Sequence, residues 1–90
     1  MSGYPPVSPP PELPEEFRFL CMLHNVGATR AERGLTVEEI AKWTNKELSE
    51  LQEYLVKLQK LGYIQSFNKE GFDRYYVSVT GIRKVLTLYS

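Results

Sequence analysis

Only one cysteine, Cys21, stands in the chain, so no intrachain disulfide can staple it. His24 is the only histidine, and no spacing of cysteine, histidine and carboxylate suits a metal ion. Excess charge of either sign is missing as well: 11 Lys and Arg balance 11 Asp and Glu. That balance excludes a strongly basic nucleic-acid coat and a polyacidic tail. No apolar run approaches the roughly 20 residues that cross a bilayer, and no basic segment followed by an apolar one opens the chain. There is no glycine-rich phosphate loop, no paired carboxylate site and no nucleophile beside a base. The expectation is a small intracellular, cytoplasmic domain that is not an enzyme, takes no cofactor or metal and has no membrane contact. With 90 residues and no covalent staple, nearly every apolar side chain must serve one core.

Proline is missing from everything beyond residue 14, because all six prolines lie within the first 14 residues. Proline fixes φ and removes a backbone donor, so residues 1–14 read as an extended, partly polyproline arm. Two readings of the arm stay open: a solvated leader, or a segment that docks through Tyr4 and Val7 onto its own domain or a twin subunit. Residues 15–90 form the domain.

Pro14 followed by Glu15 and Glu16 suits a helix start, with proline in the first turn and acids at the positive end of the dipole. The helix is expected to stop near Gly27. Phe17, Leu20, Cys21 and His24 share one stripe, and Phe19, Met22, Leu23 and Val26 widen it, so this helix should be buried on more than one side. Thr36 and Glu39 have capping-box spacing ahead of a short second helix whose inner face is Val37, Ile40 and Ala41. Thr44 and Glu47 repeat that spacing and predict a third helix over residues 46–61, with Leu48, Leu51, Leu55 and Leu58 as its apolar stripe. Gly62 can end it in the left-handed conformation.

Beyond Gly62 the period changes from helical to alternating. Residues 63–67 and 72–79 are rich in aromatic and β-branched side chains, and residues 68–71 read as the hairpin turn between them. Thr80 is a candidate cap for a last helix with Ile82, Val85 and Leu86 facing inward. The class is therefore mainly α with a small β-hairpin (α+β), in the order α-α-α-β-β-α.

That order, with Ile40 and Ala41 in the second helix, Leu51, Leu55 and Leu58 in the third and then Leu61-Gly62-Tyr63-Ile64, resembles the winged helix-turn-helix of transcriptional regulators. Tyr76-Val77-Ser78-Val79-Thr80, with Arg83 and Lys84 after it, is similar to the end of the wing in the MarR and PadR groups. The resemblance extends over roughly residues 35–86. It implies a regulator of transcription bound to double-stranded DNA, with the third helix in the major groove and the hairpin over residues 63–79 as the wing.

The resemblance places DNA contacts at Lys46, Ser49, Glu50, Glu53, Tyr54 and Lys57 on the front of the third helix, and at Arg30, Arg33, Lys69 and Arg74 in the flanking loop and wing. Ser49 and Tyr54 can donate to bases or phosphates, and the lysines can neutralise phosphates. Glu47, Glu50 and Glu53 recur every three residues as an acidic ridge. One glutamate can accept from a cytosine amino group; three facing a polyanion weaken it. The ridge therefore reads as a base reader, a solvated face or a protein-facing surface. A homodimer through helix 15–26 and the C-terminal helix, with Leu86, Leu88 and Tyr89 as contacts, would supply two half-sites. A winged-helix protein-interaction module in a larger assembly, without direct DNA binding, is the alternative. Cys21 and His24 read as structural, Trp43 as a core cover or a partner anchor with the core preferred, and Tyr75 and Tyr76 as facing opposite sides.

Overall fold

In the computed structural model, which describes residues 12–89, the chain passes through α1 (Glu15–Asn25), α2 (Val37–Thr44), α3 (Leu48–Lys60), β1 (Ile64–Lys69), β2 (Phe72–Val77) and α4 (Val79–Leu88), with a 3₁₀ turn at Ala31–Arg33. Four helices and a two-stranded antiparallel hairpin make it a mainly helical α+β domain. Residues 1–11 of the expected arm lie outside the described residues, but Leu13 packs against the core. The Pro14 carbonyl accepts from the Phe17 and Arg18 amides, which starts α1.

α1 runs through the middle of the core. Phe19, Leu20, Cys21 and Leu23 are buried, and Phe17 and Met22 pack at the edge. They meet Ile40 of α2, Leu51, Leu55 and Leu58 of α3, Ile64 and Val77 of the hairpin and Val85 of α4. The many apolar positions of α1 are thus used inside one subunit. Lys84 lies 5.2 Å over the Phe17 ring, adding a cation–π contact between α4 and α1.

Local rules fix the ends of the elements. Both α1 and α3 stop in a Schellman arrangement: Gly27 and Gly62 take positive φ, and Ala28 and Tyr63 donate back to Leu23 and Leu58. Thr36 and Glu39 form the expected capping box on α2. Thr44 and Glu47 do not form a second one. The Thr44 hydroxyl donates to the Ile40 carbonyl inside α2, Asn45 turns the chain in the left-handed conformation, and α3 begins at Leu48 rather than at Lys46. Leu48 is 44% exposed, because it lies about 60° around the helix from Leu51, at the edge of the buried arc.

The hairpin is tighter than a four-residue turn. Asn68 and Lys69 pair with Asp73 and Phe72, leaving Glu70 and Gly71 as a two-residue turn with φ of 56° and 88°. Two positive φ values match the twist of the flanking strands. Asn68 Oδ1 accepts from the Gly71 amide, and its Nδ2 donates to Asp73. On its other edge β2 is joined by Leu35, which exchanges both backbone hydrogen bonds with Tyr75. β2 ends at Val77, before the expected residue 79. Ser78, not Thr80, caps α4: its hydroxyl accepts from the Gly81 amide and donates to the Gly62 carbonyl. Val85 is buried and Ile82 packs at the edge, whereas Leu86 is 59% exposed, about 100° round the helix from Val85.

Candidate nucleic-acid interface

The face of α3 opposite Leu51, Leu55 and Leu58 carries Ser49, Gln52, Glu53, Val56, Lys57 and Lys60. Of the residues expected there, Ser49, Glu53, Tyr54 and Lys57 line one surface, with Tyr54 and Lys57 on its side nearer α1, while Lys46 and Glu50 meet Glu15 and one another beside α1. The Tyr54 hydroxyl donates to Glu50 at 3.0 Å, and its ring lies 5.6 Å from Phe19. Burial, then the adjoining Glu50 carboxylate, push the Tyr54 phenol up to about 12. Lys46 belongs to the turn, 3.3 Å from Glu15 and 4.0 Å from Glu50.

The three glutamates of the acidic ridge are not equivalent. Glu47 precedes the helix and is exposed, Glu50 is held by Tyr54 and Lys46, and Glu53 lies on the outer face. A spacing of three leaves Glu50 and Glu53 about 60° apart, so they remain neighbours on the helix, with Glu50 on the side nearer α1. Gln52, Val56 and Lys60 share the outer face and were not among the expected contacts. Their positions lie on the arc opposite the leucine stripe, a signal the sequence does contain.

The expected cations fall into separate groups. Lys57 stands 3.7 Å from Glu16 of α1. Arg74 is half-buried in β2: its Nη1 donates to the Gly34 carbonyl at 3.3 Å and lies 3.6 Å from Glu39. It clamps β2 to α2 and to the segment before Leu35, and is not an open wing contact. Arg30, just before the 3₁₀ turn, and Arg33, its last residue, are both exposed on the outer edge of the hairpin, across β2 from β1. Lys69, at the end of β1 beside the turn, is exposed.

Cys21 is fully buried, and burial pushes its thiol up, which suits a core residue rather than a redox sensor. His24 is half-buried beside the Asn25 side chain at 3.3 Å. Tyr75 packs on the core, while Tyr76, on the other face of β2, donates to Gln65. Trp43 does not cover the core: it is 57% exposed, between two surface grooves of about 330 and 480 Å³. Among the described residues no group of three or more His, Cys, Asp or Glu side chains is placed to hold a metal ion, and no helix is long and apolar enough to cross a membrane.

No protein-family model, no curated protein and no solved structure matches this chain.

Proposed function

We propose that this chain is a winged helix-turn-helix domain that binds double-stranded DNA and regulates transcription, with α3 in the major groove and the β1–β2 hairpin as the wing. The observation that carries the reading is the outer face of α3, held by α2 across a short turn and followed at once by a hairpin with Lys69 near its tip. The 13-residue helix α3, about 20 Å long, has the diameter of about 10–12 Å that a major groove about 12 Å wide admits. Ser49 and Gln52 can hydrogen-bond base edges, Glu53 can accept from a cytosine amino group, and Lys57 and Lys60 can meet phosphates. The chemistry is recognition, with no catalytic step and no cofactor, and the setting is the cytoplasm.

A two-fold dimer would present two such helices to two half-sites. α1 is committed to its own core, so the dimer surface falls to α4, where Val79 and Leu86 are exposed.

A protein-interaction role in a larger assembly has its own support. Lys46, Lys57 and Arg74 are already ion-paired, the chain is neutral overall, and Trp43 and Leu48 are exposed at either end of the α2–α3 turn. Fluorescence anisotropy of labelled duplex DNA across a salt series separates the two. Binding that weakens steeply with salt supports the DNA reading, since each phosphate contact releases counterions. No binding even at low salt would sink it and leave the protein-interaction reading.

A further inference from the structure

Trp43, the only tryptophan of the chain, ends α2 with most of its ring uncovered. Beside it, between α1 and the α2–α3 turn, lies the groove of about 330 Å³. Met22 contributes apolar surface above the buried Phe19, Arg18 lines the groove, and Glu15 and Lys46 hold one another at 3.3 Å along it. A large indole left exposed next to further apolar surface marks a place where another segment can still be packed.

We propose that this groove seats the chain's own proline-rich segment, residues 1–11, stacked on Trp43. Three observations select that occupant. First is composition: the segment holds Pro5, Pro6, Pro9, Pro10 and Pro11 with Tyr4 and Val7, and no charged side chain. Aromatic-lined grooves recognise such sequences because the polyproline helix is preformed and loses little entropy on docking. A segment without charged side chains also suits a groove whose Glu15 and Lys46 already neutralise each other.

Second is the point of attachment. Leu13 is anchored on the core, and Glu15, two residues on, lines the groove itself. Eleven residues of polyproline helix reach about 34 Å, so the segment can fold back across Trp43 without strain. Tethering gives it an effective concentration in the millimolar range, enough to fill a weak site. Third is hydrogen bonding. A proline-rich segment presents carbonyls and few amides. Among the described residues the Arg18 side chain meets Glu15 at 4.0 Å and stays 43% exposed, so its outer guanidinium N–H groups can still donate to such carbonyls.

The single tryptophan makes the test direct. Emission and acrylamide quenching of Trp43 are compared between the natural chain and two variants of the same length, Tyr4→Ser with Val7→Ser, and Pro9→Ser with Pro10→Ser and Pro11→Ser. Far-UV circular dichroism checks that each keeps its fold. Covering about half of the exposed ring lowers the quenching constant about twofold, so the natural chain is expected to be blue-shifted and protected relative to both variants. That protection should be independent of protein concentration. Equal emission and quenching in all three proteins would overturn the proposal. Protection that grows with protein concentration would overturn it too, by assigning the groove to the segment of a second copy.

Discussion

Lys57 of α3 stands 3.7 Å from Glu16 of α1, and Lys46 stands 3.3 Å from Glu15 in the same first turn. Glu15 and Glu16 have a local reason to be there, since acids favour the N-terminal end of a helix. The tertiary fold gives them a second task, neutralising two lysines that the resemblance to winged-helix regulators would place against DNA. Each pair joins an exposed side chain to a half-buried one, and surface pairs are worth about 0–1 kcal/mol, so a phosphate can compete for either lysine.

Opposite effects on DNA affinity are therefore expected from the two sides of one contact. Glu16→Gln releases Lys57 and should tighten binding to labelled duplex, whereas Lys57→Ala should weaken it and reduce the salt slope by about 0.9 for the lost phosphate contact. Anisotropy titrations at several salt concentrations measure both. Equal affinity of both variants and the natural chain would remove Lys57 from the interface.

Gly81 packs α4 directly under the Tyr63 carbonyl. A methyl group there would overlap that oxygen and press on Val77 Cγ1. Gly81→Ala should cost about 1–3 kcal/mol, through overpacking against backbone that cannot move aside. Gly71→Ala is a useful contrast: its φ is +88° and nothing lies within 4 Å, so only backbone strain of about 1–2 kcal/mol applies. Urea midpoints give both costs. In far-UV circular dichroism, disturbance of α4 should accompany only the first.

Glu39 serves two structures at once. Its Oε1 accepts from the Thr36 amide at 2.9 Å and lies 3.6 Å from Arg74 Nη1. Thr36→Ala should cost about 1 kcal/mol by removing the cap of α2. Glu39→Gln keeps an acceptor for the Thr36 amide and loses only the charge, so it should cost less than half as much. If thermal unfolding ranked them the other way, the ion pair would outweigh the cap.

Alkaline pH should destabilise the fold in a defined window. Burial raises the Cys21 thiol from its ordinary 9.0, and burial with Glu50 raises the Tyr54 phenol from 10.0 to about 12. Both groups hold their protons more tightly in the folded state than in the unfolded chain. Above pH 9 the unfolded chain releases protons first, so stability falls from there through about pH 12 and is untouched by these groups below pH 9. Tyr54→Phe keeps the ring against Phe19 and should flatten the part of that loss above pH 10, read from urea midpoints on either side of it. The same burial predicts that thiol reagents leave Cys21 unmodified until the protein unfolds.

Signals confined to a few neighbouring residues are legible in the amino-acid sequence alone. Thr36 and Glu39 announce their cap through spacing, Gly27 and Gly62 mark helix ends through their tolerance of positive φ, and Leu51, Leu55 and Leu58 define a face through period. The same local reading fails where two local solutions compete. Thr44 has capping spacing to Glu47 but bonds back into α2. Ser78 takes the cap that Thr80 offers, because the hairpin register ends β2 at Val77.

Sequence pattern was enough for the class, the element order and the core positions Leu51, Leu55 and Leu58 of α3, though not for excluding Leu48, because helical and strand periods are properties of single segments. The partners came from the tertiary fold: Glu15 and Glu16 on the lysines, Glu39 on Arg74, and the uncovered ring of Trp43. A charged side chain carries no mark of the residue it will meet across the fold. That meeting depends on how the helices cross, which the summed packing of the whole core sets.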